Sequence, residues 1–231
     1  WLRGGFPDSL LAPSTKVSCR WREEFIRTFL ERDIPQLGFR VPAEALHRLW
    51  QMLAHHHGQL LNRSQLGQSL GVTPATIGHH LDMLSQTYMV RSLPPLLPNL
   101  KKRLVKSPKV YLRDSGILHT LLGLETESDL RGHPVFGASW EGFALEQILD
   151  QYPGWTASHY RTSTGVELDL ILEKGRRRIA FEFKASSSPD VTRGFHQAIA
   201  DLQPEHTYIV APVEQSYPIG NNMTIRPPWC E

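Results

Sequence analysis

The clearest prediction of the fold comes from the stretch Val166-Glu-Leu-Asp-Leu-Ile-Leu-Glu-Lys-Gly-Arg-Arg-Arg-Ile-Ala-Phe-Glu-Phe-Lys184. Two strand-like runs, 166–172 and 178–184, flank the segment Glu173–Arg176. That segment contains Gly175 and has the composition of a hairpin turn. The pattern therefore predicts two adjacent antiparallel strands.

Charged side chains interrupt these apolar strands, among them Asp169, Glu182 and Lys184. Because side chains alternate between the two faces of a strand, Asp169 falls on one face of the first strand, and Glu182 and Lys184 share one face of the second. The hairpin can bring all three onto the same face of the sheet. Two carboxylates at one place can hold a hard cation such as Mg²⁺, which prefers oxygen ligands.

The flanking segments extend the hairpin into a longer order of elements. A helix is predicted over Ser139–Gln151 and a strand over Ala157–Arg161, before the hairpin. A helix over Thr192–Gln203 and a buried strand over Thr207–Ala211 follow it. The order is α-β-β-β-α-β, and the Pro-rich tail from Glu214 is expected to be irregular.

Glu141 is a third acid, on the helix that precedes the strands. It shares a face with Ala144, Leu145 and Ile148, which is the core-facing stripe of the helix. A buried carboxylate needs a cation, a hydrogen-bond donor or a raised pKa. The helix dipole is a simpler explanation, since Glu141 would lie in the first turn of the predicted helix.

Together, Glu141, Asp169 and the Glu182-Phe-Lys184 triplet resemble the PD-(D/E)xK nuclease superfamily, whose core has the same order of elements. The resemblance implies a restriction-endonuclease-like fold in which Asp169 and Glu182 bind Mg²⁺ or Mn²⁺. Glu141 would be a further or water-mediated ligand, the Phe183 carbonyl another ligand, and Lys184 the catalytic lysine. The alternative is a solvated Lys–Glu pair on an edge strand. Many members of this superfamily also keep the fold for binding alone.

The preceding part of the chain has the pattern of a winged helix-turn-helix. The helices are predicted to begin at Pro42, at Gln65 and, after a Thr73 cap, at Ala75; a strand at Tyr88–Leu93 and a basic hairpin follow. In such modules the third helix usually enters the DNA major groove. The predicted contacts on that helix are Thr76, His79 and His80, and those on the basic wing are Lys101, Lys102, Arg103, Lys106 and Lys109. A joint between proteins is the other interpretation, because the third helix has no Lys or Arg.

Basic residues are concentrated in the first half of the chain and acidic residues in the second half. Residues 1–113 hold 16 lysines and arginines against 7 acids, and residues 114–231 hold 9 against 16. A basic module attracts phosphate backbones, whereas an acidic one repels them unless its carboxylates hold a cation. DNA is therefore the expected partner of the first half.

The expected architecture is α/β with three parts. Residues 1–41 contain a helix that begins near Trp21 and ends at Pro35, residues 42–124 form the winged helix-turn-helix, and residues 125–231 form the nuclease-like domain. The unpatterned stretch Glu125–Pro134 is expected to be the joint between the last two.

A wider resemblance covers nearly the whole chain. The segments Arg3–Pro7, Trp21–Pro35, Ser107–Gly116 and Gly137–Glu146, with the Glu182-Phe-Lys184 strand, are similar to the C-terminal region of bacterial and archaeal AAA-type ATPases. The resemblance implies that an ATPase domain precedes these segments. No G-x-x-x-x-G-K-[ST] motif occurs, so ATP would bind only through a domain absent from this chain.

Other features narrow the class of protein. Two cysteines, Cys19 and Cys230, are too few for a disulfide framework and indicate a reducing cytoplasm. No apolar run is long enough to suggest a membrane span. Three functions remain open: a Mg²⁺-dependent DNA nuclease module, a non-catalytic DNA-binding or regulatory module of an ATPase, and a protein-interaction module.

Overall fold

The structure, a computed structural model, describes residues 1–96 and 103–229 as a mixed α/β protein. The chain divides into two compact units. The first unit consists of Trp1–Arg91 and Val110–Gly142, and the second consists of Ser92–Lys109 and Phe143–Glu231. The predicted three-part division stays a prediction, and each unit is described below by itself.

Helices open the first unit. They are α1 (Pro7–Leu10), α2 (Thr15–Thr28), a π-helical segment (Phe29–Asp33) and α3 (Ile34–Gln36). The helix predicted from Trp21 begins six residues earlier, because the Ser14 hydroxyl accepts a hydrogen bond from the Val17 amide and caps it.

The three helices predicted next are confirmed. They are α4 (Ala43–His55), α5 (Arg63–Leu70) and α6 (Pro74–Gln86). Asn62 caps α5 and Thr73 caps α6, each by accepting a backbone amide. Gly71 ends α5 with φ +69°, a left-handed conformation that glycine adopts without steric cost.

Three short strands form the smaller sheet. They are β1 (Gln59–Leu60), β2 (Val90–Leu93) and β3 (Lys109–Leu112), in the order β1–β3–β2. The strand predicted from Tyr88 begins at Val90, because Tyr88 takes φ +62° as the chain leaves α6.

One apolar core holds the first unit together. It is built from the inner faces of the helices and strands: Ile26, Phe29, Leu49, Trp50, Leu53, Ile77, Leu84, Val110, Leu112 and Leu118. Burial of such side chains stabilises each by about 1.5–3 kcal/mol.

Three helices follow the small sheet: α7 (Ser115–Leu121), α8 (Glu127–Gly132) and α9 (Phe136–Gln151). The expectation that Glu125–Pro134 lacks regular structure is wrong, while its role as a joint stays a prediction. Thr126 and Asp129 form a reciprocal capping box, which starts α8 within that stretch.

Six strands form the large sheet, in the order β4–β5–β6–β7–β9–β8. Their bounds are β4 (Thr156–Arg161), β5 (Glu167–Lys174), β6 (Arg177–Phe183), β7 (His206–Val210), β8 (Tyr217–Gly220) and β9 (Met223–Arg226). Neighbours β4, β5 and β6 are antiparallel, while β7 runs parallel to both β6 and β9. The predicted hairpin and its neighbouring strands are confirmed.

The tail after Glu214 differs from the expectation of an irregular segment. Its strands β8 and β9 extend the large sheet, and β9 pairs with β7. Helix α10 (Arg193–Leu202) agrees with the predicted helix, and it buries Phe195 and Ala198 against the sheet residues Leu168 and Ile171.

The described parts of the 92–109 segment, residues 92–96 and 103–109, contact the edge of the large sheet at and just after β4. Pro95 bridges to His159, and Leu104 bridges to Thr162. The basic strand predicted over Lys101–Lys106 is thus reduced, within its described residues, to a single bridge; Lys101 and Lys102 lie outside the described residues. Among the residues that the structure describes, no helix is both long and apolar enough to cross a membrane.

Candidate functional site

Asp169 and Glu182 come together on adjacent strands. The antiparallel register of β5 and β6 extends as far as the pair Leu170 and Phe181, and Asp169 and Glu182 are the next residues along these two strands. Both side chains are buried, at 6% and 8% exposure. The two acids therefore lie on adjacent strands, as predicted, and their convergence on one ion stays a prediction.

Both oxygens of Asp169 have nitrogen donors. Oδ1 lies 3.0 Å from the Lys109 ammonium, and Oδ2 accepts the backbone amide of Phe183 at 3.1 Å. The second contact ties β5 to the strand that carries Glu182. Asp169 is held in one orientation as a result.

Lys184 also lies at the site, as the alternation predicts. Its Nζ donates to Glu182 Oε1 at 2.7 Å, and its side chain is 29% exposed. Residues two apart on a strand share a face, which explains the contact. The amine thus stands between the buried carboxylate and solvent.

Lys109 is the residue whose position the sequence did not reveal. It was expected on a basic wing, but it is 2% exposed, and its Nζ lies 3.2 Å from Glu167 as well as 3.0 Å from Asp169. A buried ammonium needs carboxylate partners, and these two supply them. One signal was available: Lys109 opens an otherwise apolar strand, Val110-Tyr-Leu112.

Arg161 extends the ion-pair network. Its guanidinium lies 2.8 Å from Glu167, the residue opposite it in the register of β4 and β5. Cations and carboxylates therefore alternate from Arg161 through Glu167 and Lys109 to Asp169.

His159 lies beside this network as a neutral base. It is fully buried, and its Nε2 donates to the Ser107 carbonyl at 3.1 Å. Burial is the main cause that lowers the pKa of His159 to about 4, and the positive charges of Lys109 and Arg161 lower it further. The Ser107 carbonyl and Glu167 act in the opposite direction.

Glu141 belongs to the first unit. Helix α9 begins at Phe136, three residues before the predicted start, so Glu141 is in the second turn and the dipole explanation for it is weakened. Its Oε1 accepts a hydrogen bond from the Tyr111 hydroxyl at 2.5 Å. Its role as a metal ligand beside Asp169 and Glu182 stays a prediction.

The predicted nucleic-acid contacts differ in exposure. On α6, His79 is exposed and Thr76 is partly exposed, with its hydroxyl 2.9 Å from that of Thr73. The expectation that His80 is exposed is wrong: it is 8% exposed, because its side of the helix faces the core. Arg103 and Lys106 are exposed on the 92–109 segment of the second unit.

A divalent cation fits the donor chemistry of the site under one condition. The described residues contain no group of three or more His, Cys, Asp or Glu side chains arranged to hold a metal ion. Asp169 and Glu182 nevertheless supply hard oxygens, and the Lys109 ammonium shows that this place accepts positive charge. An ion could bind Asp169 once Lys109 withdraws.

The chain is similar to one sequence family in its C-terminal part and to two mycobacterial proteins over nearly its whole length. Residues 136–230 match the sequence family "Domain of unknown function (DUF4143)". The chain is 43% identical over 227 residues to "Uncharacterized protein Mb2031c" of Mycobacterium bovis and, equally, to "Uncharacterized protein Rv2008c" of Mycobacterium tuberculosis. These matches cover 98% of this chain and 52% of each relative, so the chain spans about half the length of the curated relatives it matches.

No solved structure gives a significant match to the chain. Residues 1–128 match the sequence family "Domain of unknown function (DUF8612)". Because this match covers more than half of the 231 residues, the protein belongs to that family.

Proposed function

We propose that this chain is a nucleic-acid-binding module with a Mg²⁺-dependent DNA endonuclease site, and that it is the C-terminal part of a cytoplasmic AAA-type ATPase. The observation that carries the proposal is the placement of two buried acids, Asp169 and Glu182, on the adjacent strands β5 and β6, with the Lys184 amine 2.7 Å from Glu182. The curated relatives extend well beyond the matched region, which supports a further domain in the whole protein.

A PD-(D/E)xK nuclease-like fold for the second unit accounts for this placement of the two acids. The order α9, β4, β5, β6, α10, β7 agrees with the core of that superfamily. The antiparallel β5–β6 pair followed by the parallel β7 supports the same assignment. The two acids then come from the central strands of the sheet.

Each side chain has a role in this proposal. Asp169 and Glu182 would hold the ion, with Glu141 as a further or water-mediated ligand. A bound divalent ion supplies an activated water and stabilises negative charge on the phosphate. Lys184, which is partly exposed, is suited to orient that water and to offset charge on the departing oxygen.

A winged helix-turn-helix would position the DNA. The order α4, β1, α5, α6, β2, β3 and the sheet order β1–β3–β2 support this assignment. Thr76 and His79 on α6 are the proposed groove contacts, and His80 remains only as a core residue beside them. The 92–109 segment, with Lys101, Lys102, Arg103 and Lys106, would contact phosphates.

A non-catalytic DNA-binding or regulatory module is the second candidate. The salt bridge between Lys109 and Asp169 favours it, since the acid is already neutralised by a residue of the chain itself. In that case DNA binding would be sensitive to salt and would survive Glu182→Gln.

A cleavage assay separates the two candidates. Purified protein is incubated with plasmid and with single-stranded DNA in Mg²⁺, Mn²⁺ or EDTA. A nuclease cleaves only with metal, and Lys184→Met slows cleavage about 10²-fold, as expected for loss of a proton-transfer or orienting group. Glu173→Gln is the matched control, because Glu173 lies on β5 but pairs with Arg178 outside the site. DNA left intact with both metals would exclude the nuclease.

A further inference from the structure

We infer that Lys109 is the internal cation of this site, and that it and a divalent ion exclude each other at Asp169. The inference rests on the proposed metal-dependent function, because it concerns the same carboxylates. It gives Lys109 a role that neither a DNA contact nor a purely structural residue would have: its ammonium sets the affinity of the site for metal.

The burial of Lys109 is the first step of the argument. Its side chain is 3% exposed, and its Nζ lies between Asp169 Oδ1 at 3.0 Å and Glu167 Oε1 at 3.2 Å. An ammonium withdrawn from water in this way is retained only by its carboxylate partners. Asp169 and Glu167 are therefore already paired with the positive charge of Lys109.

The engagement of both Asp169 oxygens is the second step. Oδ2 accepts the Phe183 amide at 3.1 Å, and Oδ1 is taken by Lys109. A backbone amide within a sheet cannot withdraw without breaking the strand, so the replaceable partner is the ammonium. Two cations at hydrogen-bonding distance from one carboxylate oxygen would also repel each other.

The length of the lysine side chain makes exchange possible. Its charge sits at the end of a flexible four-carbon stem, so the ammonium can swing away while the backbone stays in β3. Upstream of Lys109, the segment is anchored to β4 by the bonds from the Leu96 amide to the His159 carbonyl and from the Val105 amide to the Arg161 carbonyl, at 2.6 and 2.9 Å. Exchange of the ammonium for an ion needs no rearrangement of that anchor.

Mn²⁺ binding measured without DNA tests the inference. Free Mn²⁺ is followed by electron paramagnetic resonance during titration of the wild type, Lys109→Met and Lys109→Arg. We expect Lys109→Met to bind Mn²⁺ at least tenfold more tightly than the wild type, and Lys109→Arg, which keeps the charge, to bind no more tightly. Asp169→Asn combined with Lys109→Met should lose the gain. Lys174→Met is the matched control, an exposed lysine at the end of β5.

The outcomes separate this inference from the proposed endonuclease. Equal affinities of the wild type and Lys109→Met would overturn the inference, as would the absence of binding by both or a gain in Lys109→Arg. A gain in Lys109→Met without DNA cleavage by any variant would support the inference and contradict the endonuclease. If Lys109→Met fails to fold by circular dichroism, Lys109→Gln, which keeps a donor toward Asp169 without the charge, replaces it with the same expected direction.

Discussion

The backbone amide of Phe183 donates a hydrogen bond to Asp169 Oδ2 at 3.1 Å. This bond joins β5 and β6 beyond the last pair of their register, Leu170 with Phe181. It replaces a bond of the backbone ladder with one to a side chain. The carboxylate of the hairpin is thereby held beside the strand that carries Glu182 and Lys184.

Asp169 and Lys109 should be strongly coupled in stability. Asp169→Asn removes one of the carboxylates that the buried ammonium contacts, while Glu167 stays in reach at 3.2 Å. We expect the free energy of unfolding to fall by about 3 kcal/mol, the low end for breaking a buried ion pair. Adding Lys109→Met should recover part of this loss. Urea denaturation of both single variants and the double variant measures the coupling, and strictly additive losses would contradict it.

Gly142 should tolerate no side chain. A Cβ at this position would lie 2.3 Å from His57 Nε2, and the ring is fully buried beside Tyr111. Gly142→Ala should therefore destabilise the protein by about 1–3 kcal/mol, as overpacking does. Gly137→Ala on the same helix is the control, because a Cβ there has no neighbour within 4 Å. That variant should gain about 0.5–1 kcal/mol from helix propensity. Equal thermal midpoints of the two would refute the packing argument.

Stability should fall steeply below pH 6.5. Burial is the main cause that lowers the pKa of His57 to about 3 and those of His119 and His159 to about 4, from 6.5. In the unfolded chain these three histidines become protonated as the pH falls below about 6.5. In the folded protein they stay neutral until the pH approaches their lowered pKa values. Stability is thus complete above that pH and falls by about 1.4 kcal/mol per pH unit for each histidine.

Urea unfolding at pH 7, 6 and 5 checks this slope. His57→Asn keeps an acceptor for the Leu112 amide, which now donates to His57 Nδ1 at 3.0 Å. This variant should reduce the slope by the share of one histidine. The exposed His79 provides the control, and His79→Asn should leave the slope unchanged. A slope insensitive to His57→Asn would show that its proton uptake does not govern unfolding.

DNA binding should depend on salt through the exposed cations of the 92–109 segment. Arg103→Gln with Lys106→Gln should reduce the slope of log affinity against log salt by about 1 for each phosphate that the variant no longer neutralises. Fluorescence anisotropy with a labelled duplex measures this slope. Arg131→Gln, at an exposed position on α8, is the control and should leave it unchanged. A slope equal to that of the wild type in the double variant would remove this segment from the proposed interface.

The predictions from sequence succeeded where the signal is local. Period-two alternation located β5 and β6, and the predicted starts of α5 at Gln65 and of α6 at Ala75 lie within one or two residues of the observed ones. The tail strands were missed because Tyr217–Gly220 contains a proline and a glycine, and because β9 gains its regularity from pairing with β7. Helix α8 was missed because it is short and owes its start to one capping box.

Sequence alone predicts the hairpin, because strand alternation and a short turn leave little freedom in the register, and it thereby assigns Asp169 and Glu182 to adjacent strands. It also established the contrast between the basic and acidic halves, which composition states directly. Only the tertiary structure decided which cation meets Asp169. Lys109 lies 60 residues away along the chain, and no local periodicity encodes a partner at that distance; the bridges of its segment to the sheet edge, Pro95 with His159 and Leu104 with Thr162, likewise join distant residues.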